Sequence, residues 1–317
     1  MKFGVKLGNL DRLPLDQGVG RMAVVAEELG FDSVFVADHV VFPREYALDE
    51  EHKLNHDLAN GQHGEALISL AYVAGLTKRI LLGTSVMVMP LRNPLLTAKM
   101  LATLDVLSAG RVMIGVGVGW LASEFAALDA PAFGSRGQVT EEWIRIFRTC
   151  WKEQAPSLDG RYYQFPPLHF EPKPSRPIPI LIGGNSAAAL RRAGTIGDGW
   201  HGTRVEIAEL PSLVAKVKAA AAAAGRDPAG LTFALGVELD ILDRDPPSVA
   251  GMVAPAKALA GTSDQIIERI AAIRTAGIDH LELRFRPMRD ISIKSIDPTL
   301  RMMERFSKEI MPHFAAA

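Results

Sequence analysis

Eight short β-branched runs, each followed by a helix-periodic stretch, predict an α/β fold of the (β/α)8 TIM-barrel type, as a single domain over residues 1–317. Two further observations agree. No long acidic, basic or Ser/Gly linker divides the chain, and no GxGxxG follows the first strand-like run, which disfavours a doubly wound sheet. Gly115, Gly117 and Gly119 form only GxGxG, with no helix expected directly after it.

The elements follow in order. The run Lys2–Gly8 precedes a helical pattern over Asp16–Leu29 that Gly30 closes, and Ser33–Ala37 precedes Glu65–Leu76. Ile80–Val86 leads to Pro94–Leu107, Arg111–Val116 to Glu141–Trp151, and Ile178–Ile182 to Ser186–Ile196. Gly199–Gly202 precedes the Ala-rich Glu206–Ala224, ended by Gly225, and Leu231–Leu239 precedes Ser263–Ala276. That last helix has a Thr262 cap and Gly277 at its end. His280–Phe285 and Pro298–Ile310 complete the repeat.

Two insertions exceed the minimal unit. Residues 43–64, after the second strand, are polar and fall at the catalytic face, which makes them a candidate lid. Residues 156–177, after the fourth helix, carry a hairpin pattern around Gly160–Phe165 that starts on the opposite face, with length enough to wrap over the edge.

The 35 Lys+Arg and 36 Asp+Glu give a net charge of −1, which argues against nucleic-acid or membrane partners held by bulk charge. The longest apolar runs, such as Ile80–Leu91, are broken by Thr84, Ser85 and Pro90 and fall short of the ~20 residues of a membrane span. With no export signal visible, a soluble cytoplasmic protein is expected. A single cysteine, Cys150, excludes an internal disulfide framework and reads as buried packing.

Several residues could carry chemistry. Asp38 and His39 close the second strand, where a barrel places its site and where an imidazole can move a proton near neutrality. A cap and a packing residue is the plainer reading of the same pair. The glycines of Gly115–Gly119 allow either close approach to a flat ligand or relief of crowding. Gly183, Gly184, Asn185 and Ser186 open a helix, offering an anion site or an ordinary N-cap. His52, His56 and His63, with Glu51 and Asp57, lack an HExxH arrangement and read as a solvated lid surface, so no metal is expected.

Four stretches taken together carry a resemblance. FDSVFVADH, ILLGTSVMVMPLRNPLLTAKMLATLDVLSAGRVMIGVGVGW, RPIPILIGGNSAAALRRAGTIGDGW and GTSDQIIERIAAIRTAGIDHLELRF follow one another across nearly the whole chain. In that order they resemble the luciferase-like oxidoreductase superfamily, specifically its branch using the deazaflavin coenzyme F420. An FMN-dependent monooxygenase is the neighbouring alternative on the same scaffold, and a non-catalytic F420-binding paralogue is a third.

The resemblance implies a site. Asp38 and His39 match the Asp-His pair beside the reacting ring, with His39 as acid or base and Asp38 orienting it or touching the ring. A non-proline cis peptide supporting the ring would fall at Ser85–Val86. Gly117, Val118 and Gly119 would run along the cofactor, while Gly183, Gly184 and Asn185 would meet its phosphate end. Trp120 and Trp200 would line the substrate side. Sugar-phosphate dehydrogenases of this family carry a Glu directly after the glycine run and an aromatic residue after Asp-His. Here those positions hold Trp120 and Pro43. Both departures argue against a sugar phosphate and leave His39 without its usual carboxylate partner. The implied activity is hydride transfer between F420 and a small, apolar organic substrate, by a homodimer.

Overall fold

The computed structural model describes residues 1–11, 13–42, 62–243, 258–285 and 295–315. Eight parallel strands close into a barrel: β1 Lys2–Lys6, β2 Ser33–Val36, β3 Leu81–Val88, β4 Val112–Gly117, β5 Ile180–Gly183, β6 Gly199–Thr203, β7 Thr232–Ile241 and β8 His280–Phe285. They pair in chain order, and β8 returns to β1 with Lys2 opposite His280, which closes the ring of eight. Helices fill the crossovers: α1 Met22–Glu28, α2 Ala66–Leu76, α3 Pro94–Leu107, α4 Ala122–Ala127, α5 Arg136–Lys152, α6 Ala187–Thr195, α7 Leu210–Ala223, α8 Ser263–Thr275 and α9 Asp297–Glu309.

The strand period of two sorts side chains between an outer core and the lumen. Along β1, Phe3 and Val5 point outward and are buried; Phe3 packs edge-on against Phe306 of α9 at 5.2 Å. Lys2, Gly4 and Lys6 take the alternate face. The lumen holds an apolar cluster of Phe35, Met113, Leu181 and Ala234. Gly4 and Gly83 give the Phe35 ring its room, since a Cβ on either would come within 2.6 Å of it.

Helix ends are set by side-chain caps. Asn93 accepts from Leu96 N–H at α3, Ser186 from Ala189 N–H at α6, and Thr262 forms a capping box with Gln265 at α8. Gly30, Gly225 and Gly277 follow their helices at positive φ.

The structure departs from the sequence reading in three places. Residues 16–21 form a wider π-helical turn leading into α1. A short parallel strand, Ala258–Gly261, pairs with the carboxyl half of β7. The helix α4 begins three residues after Gly119, where none was expected. The expected hairpin, Leu158–Asp159 with Gln164–Phe165, is present and climbs along α5, the wrap over the edge that its length allows. Three of its amides donate to Glu142, and Tyr163 accepts from Asn93 at the start of α3, so it reaches the face where β3 ends.

Of the expected lid, residues 43–61, including Glu51, His52, His56 and Asp57, lie outside the described residues. Gln62–His63 pairs antiparallel with Leu10–Asp11. Among the described residues, no helix is long and apolar enough to cross a membrane.

Candidate active site

The carboxyl ends of β2, β3 and β4 bring together Asp38, His39, Val86, Trp120 and a residue the sequence reading missed, Glu124. His39 is not without a carboxylate. Its Nδ1 lies 2.8 Å from Oε2 of Glu124, and Oε1 of the same carboxylate accepts from the N–H of Val40 and Val41. Glu124 projects from α4 and is 1% exposed, between the buried Leu121 and Phe125. This arrangement fixes both the imidazole and the loop that carries it, and it leaves Nε2 on the far side of the ring. The His39 ring faces Phe42 at 4.5 Å and the edge of Trp120 at 5.8 Å.

Of the two roles implied for Asp38, the structure excludes the first. Asp38 does not orient His39. Both its oxygens accept from Arg92, at 2.6 Å each, and Oδ2 also accepts from Val88 N–H at 2.7 Å. Burial pushes its carboxyl up from the ordinary value, against the pull of Arg92 and those hydrogen bonds. Arg92 also reaches Glu65, the cap of α2, so the group is a brace tying β2, β3 and α2 together.

The glycines also divide differently. The peptide bond between Ser85 and Val86 is cis, where the resemblance implies one, and the β3–β4 register slips between Thr84 and Met87. At that bulge the Val86 side chain fills the space beside three glycines. A Cβ would lie 3.2 Å from Val86 on Gly115, 2.6 Å on Gly117 and 2.8 Å on Gly183. Gly117 and Gly183 therefore admit the Val86 side chain on the side where a Cβ would stand. Gly119 serves the backbone and the packing, with φ +81° and Phe125 and Val88 each 2.7 Å from a would-be Cβ. The partly exposed Val118 and Trp120 stand on either side of it.

Of the glycines expected at the cofactor, Gly184 is the one with open space around it. It has φ +99°, and a Cβ there would meet only Ala189 at 3.4 Å. Residues 184–188 are exposed at the start of α6. Ser186 takes the Ala189 N–H, and the Asn185 amide donates to Thr203 O at 2.7 Å. The amides of the exposed Ala187 and Ala188 precede the first intrahelical bond, Leu190 N–H to Ser186 O, a donor set suited to a phosphate.

Trp200 does not line this mouth. It is fully buried on the outer face of β6, and its Nε1–H donates to Gly184 O at 2.8 Å. It supports the Gly184 turn from behind. Cys150 is buried in α5, and burial pushes its thiol up to about 11, consistent with packing and not with a nucleophile.

The barrel and its site define a class. A family model described as luciferase-like monooxygenase matches residues 14–250, and the chain belongs to that family. Among its relatives, the F420-dependent glucose-6-phosphate dehydrogenase of Segniliparus rotundus is 34% identical over 228 residues, covering 70% of this chain and 64% of that protein. The protein of the same name from Gordonia bronchialis is 35% identical over 215 residues, covering 65% and 59%. The chain thus spans about three-fifths of the length of these curated relatives. A solved F420-dependent secondary alcohol dehydrogenase in complex with an F420-acetone adduct superposes with a TM-score of 0.81 at 22% identity, covering 99% of both chains. A type II Baeyer-Villiger monooxygenase from Pseudomonas putida in complex with FMN gives 0.77 at 18%, covering 98% of both. These two establish the shared fold.

Proposed function

We propose that this protein is an F420-dependent oxidoreductase that acts on a small, apolar organic substrate. The observation that carries the reading is the His39–Glu124 pair at the barrel mouth, flanked by Trp120 and Phe42. The choice of F420 over FMN is supported by the names of the curated relatives.

The residues present fit such a cofactor. The exposed start of α6, at Gly184 to Ala188, would take its phosphate end, and the Ser85–Val86 bulge with Val118 and Gly119 would border its ring. When bound, the deazaflavin supplies or accepts a hydride. Every other step belongs to the chain. Glu124 holds the His39 ring so that Nε2 gives a proton to a substrate oxygen in reduction and takes one in oxidation. Trp120 and Phe42 present an apolar wall to the substrate and exclude water from the reacting centre. Asp38 acts through Arg92 as a brace, not as a proton carrier. A non-catalytic paralogue was motivated by the absent acid after Gly119, and Glu124 supplies a carboxylate from the next helix.

A panel of secondary alcohols, ketones, enones and glucose 6-phosphate, offered with the matching redox form of F420, tests this. Turnover of an apolar member that falls ~100-fold or more in His39→Ala supports the reading. Turnover of glucose 6-phosphate alone overturns the apolar substrate.

The reading extends to a homodimer, supported by the apolar surface of α2 and α3. Ile68, Tyr72, Leu76, Leu96, Val106 and Leu107 are exposed there. Light scattering at twice the chain mass agrees with it, and a single-chain mass opposes it.

A further inference from the structure

Barrel interiors are ordinarily filled by branched apolar side chains. This one holds a charged cluster just beneath its mouth. Glu282 of β8 lies 3.2 Å from Lys6 Nζ and 2.7 Å from His201 Nε2. Its β-sheet neighbours in register are Gly4 and Gly236, and at Gly236 a Cβ would stand 3.3 Å from the carboxylate. Burial alone would raise the Glu282 carboxyl, yet the Lys6 charge and the His201 hydrogen bond hold it down at about 2. A buried ion pair of this kind contributes little net stability, because desolvation offsets its attraction. Its use lies elsewhere.

Lys6 points that use at the bulge. Its ammonium donates to Ser85 O at 2.5 Å. Ser85 and Val86 fall in the register slip between Thr84 and Met87, where the ladder leaves a residue unpaired. Both are partly exposed, whereas Thr84 and Met87 are fully buried. The bulge is therefore a floor of the mouth, and Lys6 holds the carbonyl that the ladder drops.

We propose that Lys6 is a positioning residue for the planar ring bound at the mouth. It fixes Ser85 and Val86 against the ring, Glu282 holds the ammonium, and His201 holds Glu282. The proposal rests on the reading of an F420-type or FMN-type ring at this site.

The test is fluorescence titration of purified protein with oxidised F420 and, separately, FMN, alongside thermal melts. The variants are Lys6→Met, Lys6→Met/Glu282→Gln and Lys6→Arg. The paired substitution removes both charges, so no buried carboxylate is left without its cation. It should melt near wild type, bind the preferred ring ~10- to 100-fold more weakly, and shift the spectrum of the ring at saturation. Lys6→Arg, which keeps the donor, should stay within ~3-fold of wild type. Unchanged affinity and spectrum in a folded double variant overturn the role of Lys6 alone. Unfolding of both neutral variants makes Lys6 a determinant of the fold and also overturns it. A wild-type protein that binds neither ring overturns the cofactor reading itself.

Discussion

His39 and Glu124 stand 85 positions apart in sequence and 2.8 Å apart in space, and the chemistry rests on that contact. Glu124→Gln is close to isosteric and can keep accepting from Val40 and Val41, but it turns a donor toward His39 Nδ1. That change selects the wrong tautomer. Turnover should fall ~100-fold or more while the melting temperature moves by a few degrees at most. A loss no greater than threefold would reduce Glu124 to a loop anchor. Asp38 and His39 were legible because a titratable pair at a strand's carboxyl end is a local pattern. Glu124 was not, because its partner comes from another element. Its signal was an acid on a short helix between Leu121 and Phe125, both of which are buried. Trp200 was misassigned for a related reason, since neighbouring strand residues face opposite ways and it is His201 that enters the lumen.

The element that orders the mouth is the connection from β4 into α4. Gly119 there satisfies a positive φ and a close approach together, so Gly119→Ala meets Phe125 and Val88 in an unfavourable backbone region. A loss of ~2–4 kcal/mol is expected from the urea midpoint, with activity falling further because α4 carries Glu124. A loss below ~0.5 kcal/mol would contradict that packing. Gly184→Ala separates ligand approach from packing, because its Cβ has room apart from a strained φ. It should weaken phosphate-end binding, read as a Kd for inorganic phosphate or F420, by more than it lowers stability. An unchanged Kd would place the anion elsewhere. Element positions were readable from hydrophobic periodicity, as with α3, whose expected and observed bounds coincide. Strand ends were less so. β3 runs to Val88 because the bulge lets pairing resume at Met87, and no local pattern announces that. The alternation His280, Glu282, Arg284 in β8 was a visible sign of a polar lumen, since a strand covered on both faces ordinarily reads as continuously apolar.

At the scale of the whole molecule, the closed sheet buries His201, His280 and Glu282, and this makes stability depend on pH. His280, bonded to Ser33 at 2.8 Å, is held down at about 3 by burial and by the neighbouring His201. Its unfolded value is 6.5, so below that pH the unfolded chain binds a proton the folded chain refuses. Stability should therefore fall as pH drops from 6.5 towards 3, by up to ~1.4 kcal/mol per pH unit. Glu282 acts with the same sign lower down. Its folded form releases the proton far more readily than the unfolded one, so its contribution is lost as pH falls from 4.5 to about 2. His280→Gln should flatten the slope of urea stability between pH 6.5 and 4.5, and an unaltered slope would assign the acid sensitivity to other groups. The central claim is that this mouth receives a deazaflavin. Titration of the purified wild-type protein with oxidised F420 and with FMN, each followed by fluorescence, tests it most directly. Saturable micromolar binding of F420, with FMN at least ~10-fold weaker, is the expected result; tight FMN binding with no response to F420 would contradict the account.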